Sequence, residues 1–97
     1  MDRPRFDLVA SGERMRQIRQ QRQISVKQVM EYMGFESTQA VYKWESGKCY
    51  PQADNLVALA ILYNVSPTEL LVEEDVKSSS FFAVVFAGRA SGFLLLL

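Results

Sequence analysis

The stretch Ser25–Gly47, SVKQVMEYMGFESTQAVYKWESG, decides the fold. It reads as a short helix, a tight turn and a second short helix. Ser25 with Gln28 three residues on spells a capping box, in which each side chain takes an otherwise orphaned backbone N–H. Ile24 and Val29 stand at the two positions of a hydrophobic staple, which fixes how the chain enters the helix. Val26, Val29, Met30 and Met33 recur at helical spacing. Gly34 sits where a left-handed residue ends a helix. Ser37 is expected to cap the second helix, with Ala40, Val41 and Trp44 facing inward and Gly47 closing it. Two helices this short cannot hold their shape alone, so a surrounding bundle is required.

The chain on either side reads as that bundle. Pro4 disfavours helix in the residue before it, so residues 3–6 are expected to be an extended arm. Asp7 is placed to cap a first helix over 8–22, with Leu8, Met15 and Ile18 turned inward. The outer face of this helix carries Arg14, Arg16, Gln17, Arg19, Gln20, Gln21 and Arg22. Its plain reading is a solvated face, and its sharper one is that one or two arginines reach phosphates or an internal acid. Past the loop Cys49-Tyr50-Pro51, a helix over 53–63 presents Leu56, Leu59, Ala60 and Tyr63, and Asn64 suits a left-handed cap. Ser66-Pro67-Thr68-Glu69 is a second capping box with Pro at the first helical position, stapled by Val65 and Leu70. It predicts a fifth helix ending near 71 or 72.

Ninety-seven residues make one small domain with a tail. Stability is marginal at this size, and dimerisation would add to it. One cysteine precludes an internal disulfide and suits a reducing cytoplasm. With no histidine and one cysteine, neither a zinc site nor an activated Cys49 nucleophile is expected, and no cofactor is called for. The N-terminus lacks the apolar core of a signal peptide. Charge is zero overall but uneven. Residues 1–50 hold nine Lys/Arg against six Asp/Glu, and residues 51–97 hold two against five. The first half is therefore the half suited to a polyanion.

From about Gly12 to Leu71 the chain resembles the lambda-repressor-like, Cro/CI-type (XRE) helix-turn-helix family. The resemblance rests on MRQIRQQRQIS, SVKQVMEYMG, AVYKWESGKCYP and DNLVALAILYNVSPTELL, in that order. It implies an all-α, compact five-helix bundle over 8–72, preceded by an arm at 1–7 and followed by a linker at 73–80 and an apolar tail at 81–97. It also implies a homodimer that reads double-stranded DNA and regulates transcription. Two departures stand out. Val26 occupies the first position of the second helix, where the family often has Gln near a phosphate. The turn Gly34–Ser37 is one residue longer than the commonest family turn, which affects the angle of the third helix.

In such proteins the third helix, here about 38–46, lies in the major groove with its N-terminal residues at base edges. The base contacts implied are Thr38, Gln39, Tyr42 and Lys43. Gln39 suits a bidentate pair with adenine, and Lys43 a guanine or a phosphate. Phosphate contacts are implied for Ser25, Lys27 and Gln28 at the start of the second helix, and for Lys48, Tyr50 and Asn55 beyond the third. Arg19 and Glu45 match family positions that form a structural ion pair between the first and third helices.

The tail, SSSFFAVVFAGRASGFLLLL, is unlike the rest. Residues 81–97 fall short of the roughly 20 apolar residues of a membrane span and are interrupted by Gly88, Arg89 and Gly92. Packing on the bundle or on a dimer mate is the leading expectation, with helix or strand in 81–87, and a poorly ordered or aggregation-prone tail is the alternative. A competing reading makes the protein an antitoxin-like or adaptor module whose tail binds a partner protein. An enzyme is the weakest reading, because no acid pair, His-assisted nucleophile or phosphate-binding glycine loop is present.

Overall fold

Leu8–Gln21 form α1, Val26–Met33 α2, Gln39–Glu45 α3 and Ala53–Tyr63 α4, in a computed structural model that describes residues 3–74. The expectations for residues 75–80 of the linker and for the apolar tail at 81–97 lie outside the described residues. A single 3₁₀ turn, Pro67–Leu70, completes the order.

The starts of the helices follow local chemistry. Asp7 caps α1 by accepting the Ala10 N–H at 3.0 Å. At α2 the Ser25 Oγ accepts the Gln28 N–H at 3.0 Å, and Gln28 Oε1 accepts the Ser25 N–H at 2.8 Å, completing the box. The start of α3 differs from expectation. Thr38, not Ser37, is the N-cap, and its side chain makes no capping bond. Ser37 Oγ takes only the Gln39 N–H, at a long 3.4 Å. The turn from Gly34 leaves Ser37 one residue too early to reach the deeper N–H groups.

All four helices end the same way. A left-handed residue follows each, and paired backbone bonds of the Schellman type close the last turn. These bonds run from Gln23 to Gln20 and Ile24 to Arg19, from Gly34 to Glu31 and Phe35 to Met30, from Gly47 to Trp44 and Lys48 to Lys43, and from Asn64 to Ile61 and Val65 to Ala60. The left-handed residues are Gln23, Gly34, Gly47 and Asn64, with φ of 59°, 79°, 78° and 59°. Gln23 is the unexpected member, since glutamine gives no sequence signal for this conformation.

The core holds Met15 and Ile18 of α1, Val29 of α2, Val41 and Trp44 of α3, and Leu59, Ala60 and Tyr63 of α4, with Leu70 from the closing turn. The Phe35 ring meets Trp44 edge-on at 5.8 Å. The broadest packing joins α1 to α3. Gly12 permits it: a Cβ there would run into the Trp44 carbonyl oxygen and lie 2.9 Å from that of Glu45.

The expected fifth α-helix is a 3₁₀ turn of four residues. Its box forms, with Glu69 accepting from the Ser66 N–H at 3.1 Å and the Ser66 hydroxyl at 3.0 Å. The chain then swings to extended backbone at Leu71, because tertiary pairing takes over. Val72 donates its N–H to the buried Ser11 Oγ at 2.8 Å and accepts the Asp7 N–H at 2.7 Å. Glu74 donates to the Arg5 carbonyl at 2.7 Å, and Phe6 bridges antiparallel to Glu73. Another turn of helix would forfeit all of these bonds. The arm is therefore extended, as its proline requires, but clasped against the end of the bundle.

Candidate nucleic-acid interface

The helix α3 is seven residues long and cannot set its own direction. Its inner face, Val41 and Trp44, is buried, and Ala40 is half-buried. Helical spacing then turns Gln39, Tyr42, Lys43 and Ser46 outward, and all four are exposed, Tyr42 at 57%. Thr38 is half-buried at the entry. Ser46 was absent from the sequence-level set, although it lies three and four residues after Lys43 and Tyr42.

Below this face, Arg19 grips Glu45 with two parallel bonds, Nε to Oε2 at 2.7 Å and Nη2 to Oε1 at 3.1 Å. A third bond runs from Arg19 Nη1 to the Ile24 carbonyl at 2.9 Å. The side chains are 11% and 7% exposed. The bond to Glu45 is the main cause holding the Arg19 pKa above its ordinary value. One residue thus ties α1 to α3 and to the entry of α2. Burial pushes the Tyr63 hydroxyl pKa up, so it remains a neutral phenol beside this pair. Two more arginines, Arg14 of α1 and Arg22 just past its end, bind backbone elsewhere: Arg14 Nε donates to the Glu69 carbonyl at 2.8 Å and Arg22 Nε to the Tyr63 carbonyl at 2.6 Å.

A groove of about 500 Å³ runs beside α3. It is lined by the turn Gly34–Ser37 together with Gln39, Ala40, Lys43, Trp44 and Cys49. Of the four residues implied for base contact, Gln39 and Lys43 share this groove, while Tyr42 and Thr38 lie off it. Glu36 is also in its wall, a carboxylate that the sequence reading did not weigh. It stands against phosphate and favours base amino groups instead.

The residues implied for phosphate contact lie before and after α3 in the chain. Ser25, Lys27 and Gln28 are exposed at the N-terminus of α2, Lys48 and Tyr50 are exposed in the loop after α3, and Asn55 is half-buried in the first turn of α4. The capping box uses the Ser25 and Gln28 oxygens as acceptors, so the Ser25 hydroxyl proton and the Gln28 amide N–H₂ remain donors. Two donors, a lysine and the free N–H groups of the first turn suit a phosphate. Among the described residues no group of His, Cys, Asp or Glu is arranged to hold a metal. No described helix is long and apolar enough to cross a membrane.

Residues 15–70 match a helix-turn-helix family model. The chain is 33% identical over 64 residues to the HTH-type transcriptional activator BcrR of Enterococcus faecalis; the match takes in 66% of this chain and 31% of that protein. The chain therefore spans about a third of the length of that relative. Among solved structures, it is similar to the restriction-modification controller protein C.AhdI of Aeromonas hydrophila, with a TM-score of 0.60 and 28% identity over 66% of this chain and 96% of that one. It is also similar to the DNA-binding domain of BldD, with a TM-score of 0.56 and 29% identity over 66% of this chain and 92% of that one.

Proposed function

The chain belongs to the XRE-type helix-turn-helix family, and on that premise we propose that it is a transcriptional regulator that binds double-stranded DNA sequence-specifically, with α3 in the major groove. The observation that carries this reading is the outward face of α3, polar and exposed, on a helix that Trp44, Val41 and the Arg19–Glu45 pair hold rigid from beneath. Gln39 and Lys43 read base edges from the groove they share. Tyr42 touches a thymine methyl or a phosphate, and Thr38 contacts DNA from the entry of the helix. Ser25, Lys27, Gln28, Lys48, Tyr50 and Asn55 fix the register on the phosphates.

We assign 8–72 as the binding unit, 1–7 as its arm and 73–80 as a linker to the apolar tail. A homodimer would set two such units on half-sites about 34 Å apart, one turn of duplex. Val57 and Ile61, 47% and 68% exposed on α4, are an apolar pair suited to the mate. The single exposed Cys49 fits a reducing cytoplasm.

Selection of bound duplexes from a random pool, followed by anisotropy titrations, tests the reading. An enriched motif is expected, with Gln39→Ala losing about 1–3 kcal/mol of discrimination at one base pair. A pool that stays unenriched at low salt would defeat the proposal.

A further inference from the structure

The groove beside α3 holds two opposite charges. Lys43 lines it from α3, and Glu36 lines it from the turn before that helix. Both side chains are exposed. Among the described residues the ion pairs join Arg16 to Glu13 and Arg19 to Glu45, and neither pair takes in Glu36 or Lys43. A cation and an anion thus face one groove without neutralising each other by direct contact.

The turn fixes where the carboxylate stands. Gly34 takes the left-handed conformation at φ 79°. The next residue, Phe35, packs against the core with its ring edge-on to Trp44 at 5.8 Å. Beyond Glu36, Thr38 is already the N-cap of α3. Glu36 is therefore held between an anchored ring and the start of the helix.

Duplex DNA makes a specific demand on such a carboxylate. Phosphate repels it, so its place at the interface is costly unless it meets a donor. In the major groove the base donors are the N4 amino group of cytosine and the N6 amino group of adenine. Adenine sets its donor beside the N7 acceptor, whose lone pair opposes a carboxylate, whereas cytosine presents a donor alone. The guanine paired with that cytosine offers O6 and N7, the acceptors that suit Lys43. One G·C pair therefore answers both charges of the groove.

We propose that Glu36 is a specificity-determining residue, accepting a hydrogen bond from the N4 amino group of a cytosine. The inference rests on the reading of α3 as the helix in the major groove. Glu36 adds a pure acceptor to a set in which Lys43 is a pure donor and Gln39 is both.

The test compares duplexes selected from a random pool by wild type, Glu36→Ala and Glu36→Gln, with far-UV circular dichroism showing that each variant is folded. Wild type should enrich a motif with cytosine at one position. Glu36→Ala should keep the rest of the motif and lose about tenfold of preference at that position. Glu36→Gln should shift the position towards adenine, which a side-chain amide pairs bidentately. N4-methylcytosine placed there turns a methyl group into the groove where the donor stood. It should weaken wild type by about tenfold and leave Glu36→Ala unchanged. A motif identical in wild type and Glu36→Ala would overturn the inference while leaving the DNA-binding reading in place. So would binding by Glu36→Ala that tightens evenly on every duplex, the mark of a carboxylate that only repels phosphate. An adenine lost in place of the cytosine would overturn it as well. A wild-type pool with no enriched motif would remove the reading itself, and this inference with it.

Discussion

Arg19 determines more of this molecule than any other side chain. It is long enough to reach across α1 to α3 and planar enough to meet both Glu45 oxygens while its third nitrogen takes the Ile24 carbonyl. Removing it strands a nearly buried carboxylate, the expensive half of such a pair. Arg19→Ala is expected to lose on the order of 3 kcal/mol in urea unfolding, a large share of a small domain's stability. Arg19→Lys should restore the charge but not the two-pronged grip, and so recover only part of the loss. Gly12 sets the other residue-scale limit. Alanine is the better helix former by about 1 kcal/mol, yet its methyl would be driven into backbone carbonyls of α3 that cannot rotate away. The clash should win, with Gly12→Ala destabilising by about 1–3 kcal/mol; a thermal melt no lower than wild type would contradict the close approach of α1 and α3.

At the scale of elements, the four helices share one stop device but not one residue type. Glycine holds the left-handed position after α2 and α3, asparagine after α4 and glutamine after α1. A glutamine there bears about 1–2 kcal/mol of backbone strain, against roughly 0.5–1 kcal/mol of extra unfolded-state entropy for glycine. Gln23→Gly should therefore stabilise by about 0.5–1 kcal/mol, which calorimetry would read as a rise of several degrees. The closing 3₁₀ turn makes a pH-dependent contribution. The Ser66 backbone and hydroxyl donors hold the Glu69 pKa below the ordinary carboxylate range. A depressed folded value means the contribution is present above the unfolded value, and is lost as pH falls through the folded one. Glu69→Gln retains an acceptor for both donors without titrating. Its melting point should fall less than that of wild type as the buffer is taken from about pH 6 to about pH 2.

At the scale of the whole molecule, the two ends of the described chain are joined through Arg5, Phe6, Asp7 and Ser11 to Val72–Glu74. The interface proposed for DNA would be a property of the assembled bundle, because its cations come from separate elements: Lys27 from α2, Lys43 from α3 and Lys48 from the loop beyond. Each neutralised phosphate contributes about 0.9 to the slope of log affinity against log salt. Lys27→Ala and Lys48→Ala should each reduce that slope by about 1 and weaken binding evenly across duplex sequences. Gln39→Ala should instead leave the slope near its wild-type value. Titrations at several salt concentrations separate the two behaviours.

The local signals were legible because they are carried by neighbours in sequence. The box at Ser25 and Gln28, the left-handed Gly34 and Asn64, and the inward spacing of Val41 and Trp44 each depend on residues within one or two turns. The outward set on α3 followed from the same spacing, and the Arg19–Glu45 pair from family resemblance. The tertiary structure alone decided what depends on distant partners. It converted the expected fifth helix into a 3₁₀ turn, because Val72 gains two bonds from Ser11 and Asp7 that a continuing helix would lose. It left Gln23 in a left-handed conformation that its own side chain does not favour, and it placed Gly12 where two helix backbones nearly touch. Sequence carries information about a contact when both partners lie on one element; these contacts join residues that only the packed bundle brings together.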